Sequence, residues 1–273
     1  KTRESLSKNV KQLLKEKLSV EDPALETSTT NFFLAYQNQN NRDLQRVIAK
    51  VHLKSCQRLG WSAPHCRTLK KTQGKIKIGF ISGYFRQHSV GRLMVGLISQ
   101  IPKDLFEVVI ITNRGQRDPI SKIIESMADK ILYLSDKIFQ TQEDIGESQL
   151  DVLFYADIGM DIRTYFLAFA RLARTQCVFW GHPDTTGIPN IDYFLSSSLI
   201  EPRDGDQHYT ETLRQFASLP TYYARPDLPS RLKSRDEFGL SEDQNLYLCP
   251  QSAIKFHPDI DNIFLQILES DQN

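Results

Sequence analysis

Residues 75–82, KIKIGFIS, form a short apolar run, followed at once by a glycine and a polar turn. That is the pattern of a buried strand. The same kind of run returns at 106–112 (FEVVIIT), 130–134 (KILYL), 151–155 (DVLFY) and 175–180 (TQCVFW). Helical stretches lie between them at 90–101, 119–128, 142–147 and 163–172. Alternation of strand and helix requires parallel strands joined by right-handed crossovers, so the fold class is α/β, a doubly wound parallel sheet. Strands continuous in Val, Ile and Phe are what burial on both faces demands.

Outward from this core the pattern changes. From residue 1 to Trp61 it is helical, with Leu6, Val10, Leu13, Leu14 and Leu18, then Leu44, Val47, Ile48, Val51 and Leu53, at three- and four-residue steps. A search for a 34-residue helical repeat finds at most one degenerate unit. Residues 64–74, PHCRTLKKTQG, are polar and basic and read as a linker. Beyond Gly239 the run Leu246-Tyr247-Leu248-Cys249-Pro250 reads as a further strand leading into a helix over 259–268.

The whole chain has 273 residues, 34 Lys+Arg against 33 Asp+Glu, 40% hydrophobic and 25% charged residues. A net charge of +1 argues against a nucleic-acid binder that relies on gross electrostatics. No stretch approaches the ~18 apolar residues of a membrane span, and the first residues show no signal peptide. Cys56, Cys66, Cys177 and Cys249 are scattered without the spacing of a zinc or redox motif, so reduced thiols, a cytoplasmic location and no metal are expected. The absence of an initial Met and the ending just after an apolar run suggest a piece of something longer.

In a doubly wound sheet, ligands collect beyond the carboxyl ends of the strands. After the first strand lies SGYFRQHSVGR, residues 82–92, which lacks G-x-G-x-x-G, and the second strand ends in Thr112-Asn113-Arg114 without an acid for a ribose. A dehydrogenase is therefore disfavoured. The loop offers His88, flanked by Arg86 and Arg92, either as a general base or anion ligand or as a surface helix cap. After the fourth strand, Asp157 and Asp161 stand ready to orient a hydroxyl or a His, or to cap a helix. After the fifth, WGHPDTTG at 180–187 supplies His182, Pro183, Asp184, Thr185 and Thr186, a set suited to phosphate or hydroxyl recognition. Lys255, ahead of the last helix, is placed for a diphosphate.

These motifs together resemble the O-linked N-acetylglucosamine transferase family, the tetratricopeptide-linked, SPINDLY-like protein glycosyltransferases. The similarity runs from about residue 31 to the C-terminus. Its most specific piece is WGHPDTTG, where relatives carry W-x-G-Y-P-G-T-[ST]-G or W-G-H-P-x-T-[ST]-G. Asp192-Tyr193-Phe194, the stretch HYTETL at 208–213, and IKIGFISGYFRQHSVGRLM at 76–94 match further segments in the same order.

The resemblance implies a two-lobed GT-B enzyme: a helical connector and linker at 1–74, a Rossmann-like N-lobe at 75–245 and the start of a truncated C-lobe at 246–273. It implies transfer of a sugar from a nucleotide donor, most simply UDP-N-acetylglucosamine (UDP-GlcNAc), to Ser or Thr of an acceptor protein, with no cofactor, nucleic acid or membrane partner. His88 matches the family's N-lobe histidine, considered as a general base; Lys255 matches the lysine on the donor diphosphate; Gln251 and Ser252 fall near the polar residues before it. Tyr84 stands where many relatives have Asp, and Met160-Asp161 where many have His-Thr, which implies an altered pocket. With most donor contacts expected from the second lobe, the chain alone is expected not to turn over. The alternatives are a non-catalytic interaction module and a fucose-transferring relative.

Overall fold

The strand at 75–82 is β1, Ile76–Ile81, in a computed structural model that describes residues 2–27, 30–68, 74–115, 117–223, 225 and 227–271. Ahead of it come three helices, α1 (Thr2–Leu13), α2 (Pro23–Glu26) and α3 (Arg42–Ser55). After it the chain alternates: α4 (Ser89–Ser99), β2 (Phe106–Thr112), α5 (Pro119–Ser126), β3 (Lys130–Tyr133), α6 (Ile138–Glu147), β4 (Leu150–Tyr155), α7 (Ile162–Leu167) and β5 (Ala173–Phe179). Two further strands, β6 (Tyr193–Ser197) and β7 (Thr212–Phe216), complete one sheet in the order β3-β2-β1-β4-β5-β6-β7. Every neighbouring pair is parallel. The doubly wound α/β class read from the strand pattern is the fold observed.

Alternate residues of the strands feed two separate cores, as the pleat requires. Phe80, Val108, Ile110 and Phe154 pack under Val90, Met94 and Ile98 of α4 and Ile124 of α5. Ile81, Val109, Ile111 and Leu153 pack on the other face under Ile138 and Ile145 of α6, Phe166 of α7 and Ala49 of α3. At roughly 2 kcal/mol for each large apolar side chain removed from water, these two layers supply the main driving force for the fold.

By its contacts the chain divides into two compact units, residues 1–32 with 40–223, and residues 33–39 with 224–273. The N-terminal helices therefore share a core with the sheet: Cys56 and Leu59 belong to the same cluster as Tyr155 and Phe169. The first part of the basic segment at 64–74 is also tied down. Pro64–Arg67 forms a 3-10 turn, a ring nitrogen of His65 lies 3.1 Å from the Leu150 carbonyl, and the Ala63 amide donates to Arg171 at 2.9 Å. Residues 69–73 of that segment lie outside the described residues.

Two strands, β6 and β7, are not foreseen by the apolar-run pattern. The arginine and glutamine of β7, TLRQF, sit on an exposed edge strand, whereas the serines that end β6, YFLSS, are fully buried, Ser196 donating to Glu201 at 2.6 Å. The expected strand at 246–250 does not form. Leu246, Tyr247 and Leu248 are exposed and have no ladder partner among the described residues, and a lone strand has nothing to satisfy its backbone. The second unit instead holds a 3-10 turn at Ala253–Lys255 and helix α8, Ile260–Ser270.

Candidate active site

β1 and β4 are neighbours, yet the chain runs from β1 towards β2 and from β4 towards β5. This reversal opens a crevice at the carboxyl ends of the two strands. Its floor is polar. The Ser82 hydroxyl, at the end of β1, donates to Oδ1 of Asp157, just beyond β4, and accepts the Tyr84 amide at 2.9 Å. Asp157 is fully buried, and burial pushes its carboxyl up to about 7, with the nearby Asp161 adding to the rise and the Ser82 bond opposing it. The helix-cap reading therefore fails for Asp157. It holds for Asp161, which caps α7 by accepting the amides of Arg163 at 2.9 Å and Thr164 at 3.2 Å.

His88 is the N-cap of α4. Its Nδ1 accepts the Val90 amide at 3.3 Å, and its ring stacks on Tyr84 with centroids 4.5 Å apart at 26°. The Tyr84 hydroxyl in turn donates to the Met160 carbonyl at 3.1 Å. The imidazole is thus tied through one aromatic ring to the loop beyond β4. Gly91 lets α4 approach closely enough for this, since a Cβ there would lie 2.0 Å from the Arg86 carbonyl oxygen. Partial burial, and then the Arg86 charge, lower the His88 pKa, which favours the neutral ring. With Nδ1 accepting from α4, the ring proton sits on Nε2. Proton acceptance at Nε2 therefore requires the other tautomer and release of the long cap contact.

Beside Tyr84, a cavity of about 580 Å³ opens at the ends of β1 and β2, bordered by Arg86, Asn113, Arg114, Arg117 and Asp161. Asn113 Nδ2 donates to the Gly83 carbonyl at 3.1 Å, Arg114 lies 4.9 Å over the Tyr133 ring, and Arg117 pairs with Glu125. The balance of cations and carboxylates suits a polar ligand with hydroxyls better than a bare polyanion.

The loop 180–187 is built inward. Thr185 Oγ1 donates to Glu211 Oε2 at 2.6 Å, the Thr186 amide donates to Glu211 Oε1 at 2.8 Å, and the Thr186 hydroxyl also donates to Oε1. Asp184 accepts from Asn41 Nδ2 at 2.8 Å and from Gln45 Nε2 at 3.4 Å, and burial raises its pKa. His182 is buried and stacked 4.5 Å from Phe32, and burial pushes its pKa down to about 4. Gly187, at φ +70°, sits so close to α3 that a Cβ would lie 2.3 Å from the Gln45 backbone. The threonine hydroxyls read from sequence as phosphate or hydroxyl ligands are thus engaged by a carboxylate within the fold, and Pro183 alone of this set is exposed. Glu211 carries this arrangement; it lies in the HYTETL stretch, but its Thr185 and Thr186 partners are 26 and 25 positions away, so the stretch itself does not show what it holds.

The chain is similar to known transferases. Over 210 residues it is 25% identical to the probable UDP-N-acetylglucosamine–peptide N-acetylglucosaminyltransferase SEC of Arabidopsis thaliana, covering 71% of this chain and 21% of that protein. Over 150 residues it is 25% identical to the probable UDP-N-acetylglucosamine–peptide N-acetylglucosaminyltransferase SPINDLY of the same plant, covering 53% and 16%. A solved structure, a mutant O-GlcNAc transferase of Thermobaculum terrenum, superposes with a TM-score of 0.63 at 17% identity, over 97% of this chain and 50% of that one. The chain is related to the O-GlcNAc transferase and SPINDLY proteins. No protein-family model matches it. It spans about a fifth of the length of these curated relatives and half of the solved O-GlcNAc transferase.

The positions that the O-GlcNAc transferase resemblance assigns to the donor lie in the second unit. Lys255, Gln251 and Ser252 are all exposed there. Lys255 Nζ lies 5.4 Å over the Tyr36 ring, and Gln251 Oε1 accepts the Ser252 amide at 2.9 Å. Among the described residues no group of three or more His, Cys, Asp and Glu is placed to hold a metal, and no helix is long and apolar enough to cross a membrane.

The raised pKa of Asp157 gives the fold a pH signature. A carboxyl held at about 7 in the folded chain and near 4 when unfolded binds more protons in the native state, so stability falls as pH rises between those values. Asp157→Asn keeps the Ser82 acceptor and removes the charge. The variant is expected to melt higher than the parent sequence at pH 8, by up to roughly 4 kcal/mol, with little difference at pH 4. His182 acts oppositely: its depressed pKa contributes stability that is lost as pH falls from 6.5 through about 4, and it does so in both proteins. Equal melting shifts at pH 4 and pH 8 for Asp157→Asn would contradict the assignment.

Proposed function

We propose that this chain is the amino-terminal part of a protein O-glycosyltransferase that transfers a sugar, most simply N-acetylglucosamine from UDP-GlcNAc, to Ser or Thr of an acceptor protein with inversion at the anomeric carbon. The observation that carries the reading is the histidine at the switch-point crevice, stacked on Tyr84, with its pKa lowered by burial and by Arg86. The names of the curated relatives supply the donor and peptide classes.

Transfer needs three things: the acceptor hydroxyl held against the anomeric carbon, a group that takes its proton, and positive charge for the departing diphosphate. In this reading residues 75–245 are the first lobe, which supplies His88 beside the acceptor, and 246–273 begin the second lobe, which supplies Lys255 to the diphosphate. Gln251 and Ser252 position the donor with it. A few placed cations such as Lys255 suffice for that charge, in keeping with the near-neutral composition. With the rest of the second lobe missing, the 273-residue chain is expected to be inactive alone.

A donor screen on the full-length parent tests the reading. UDP-GlcNAc and GDP-fucose are offered with a Ser/Thr-containing acceptor, and Lys255→Ala is run beside the unaltered enzyme. Transfer from UDP-GlcNAc that drops ~10²- to 10³-fold in Lys255→Ala, with the melting curve unchanged, is the expected result. No transfer from either donor by an intact two-lobed parent would mean a non-catalytic binding module instead.

A further inference from the structure

A second concavity, of about 280 Å³, lies in the first unit between α3 and the stretch 187–191. It uses none of the crevice residues. One wall carries Arg42, Arg46 and Lys50, spaced by four so that all three share a helix face. The rest of the lining is apolar: Leu53 and Pro189 reach solvent, and Ala49, Ile188 and Ile191 lie buried beneath them. Among the described residues no carboxylate lines it. Arg46 does reach Asp43 at 2.7 Å, but the two side chains are 51% and 83% exposed, so that pair holds the arginine weakly. The Nε of Arg42 is buried without a hydrogen-bond partner among the described residues. Glu211, next in sequence to the lining residue Thr210, is already occupied by the hydroxyls of Thr185, Thr186 and Thr210.

We propose that this groove binds an acidic segment of a partner protein, extended, with Asp or Glu at alternate positions and apolar residues between them. Two matches argue for a peptide over a free anion. Successive cations on the helix rise by ~6 Å per four residues, close to the ~6.6 Å between same-side residues of an extended chain. The remaining side chains of such a chain would lie against Leu53 and Pro189, the apolar lining residues that reach solvent, which a phosphate would leave uncovered. Arginine gives the carboxylates a forked, two-point partner.

The test is fluorescence anisotropy of the purified 273-residue chain with a labelled peptide alternating Glu and Leu. A Gln-for-Glu peptide, a Ser-for-Leu peptide and inorganic phosphate as competitor are measured beside it. The Glu-Leu peptide is expected to bind, to bind more weakly as salt is raised, and to lose about tenfold or more in affinity when Arg46→Glu and Lys50→Glu are combined. Both positions are exposed, so the reversal leaves the core untouched, and a melting curve verifies that. Four results would overturn the proposal: no binding up to millimolar chain, equal binding of the Gln peptide, no change on charge reversal, or full competition by phosphate together with undiminished binding of the Ser peptide. The last would make it an anion site.

Discussion

Glu211→Ala is expected to lower stability by roughly 3 to 5 kcal/mol, seen as a melting temperature about 10 °C below that of the unaltered chain. The carboxylate is 6% exposed and accepts from the hydroxyls of Thr185, Thr186 and Thr210 and from the amides of Thr186 and Thr210. Truncation leaves these donors in an interior that water reaches poorly, and each orphaned group costs roughly 1 to 3 kcal/mol. Glu211→Gln keeps one carbonyl oxygen and is expected to recover about half of the loss. The consequence extends past stability, because the loop held by Glu211 also carries His182 against Phe32 and Asp184 against Asn41 and Gln45. A melting shift under about 2 °C for Glu211→Ala would show that the loop is held by something else.

The second large effect concerns the chemistry. In the proposed full-length transferase, His88→Ala is expected to reduce kcat by ~10²- to 10⁴-fold, the usual worth of a placed proton acceptor. Loss of the cap on α4 should cost only about 1 kcal/mol, so the variant stays folded. His88→Asn restores the cap without restoring the base and is expected to melt like the parent while remaining as slow as Ala. The pH profile separates a proton-accepting role from a structural one. Because burial and Arg86 depress the histidine, the ring stays neutral and active down to a pH below its ordinary 6.5, and the rate falls only on further acidification. Arg86→Ala removes one of the two causes and should move that limb upwards. An acid limb unchanged in both Arg86→Ala and His88→Asn would exclude the imidazole as the base.

Much of this site is legible in the linear chain, and the reasons are specific. His88 stands out because it follows an apolar run and a glycine, which places it beyond a strand end in any doubly wound sheet. Asp157 and Asp161 stand out in the same way, yet one is a cap and the other a buried partner of Ser82. Nothing local separates them, since the difference lies in a serine 75 positions earlier. The threonines at 185 and 186 were expected to face a ligand because they are polar and flanked by glycines. Their glycines serve another end: Gly187 admits the Gln45 backbone of α3, and the hydroxyls turn inward to Glu211. The strand expected at 246–250 has the right residues and no neighbour to pair with among the described residues.

By itself the sequence determined that the strands are parallel and buried on both faces, and which loops lie at the ligand edge. Short continuous apolar runs separated by helices admit few other packings, and those signals are carried within a few residues of one another. The tertiary structure alone decided that the N-terminal helices share the sheet's core, that Tyr84, stacked on His88, bonds Met160 across 76 positions, and that Asp157 is buried with a serine. Each of those depends on which distant groups meet when two layers close over the sheet. Side-chain pairing across such separations is set by packing and by the cost of leaving a buried polar atom alone, neither of which leaves a mark on neighbouring residues.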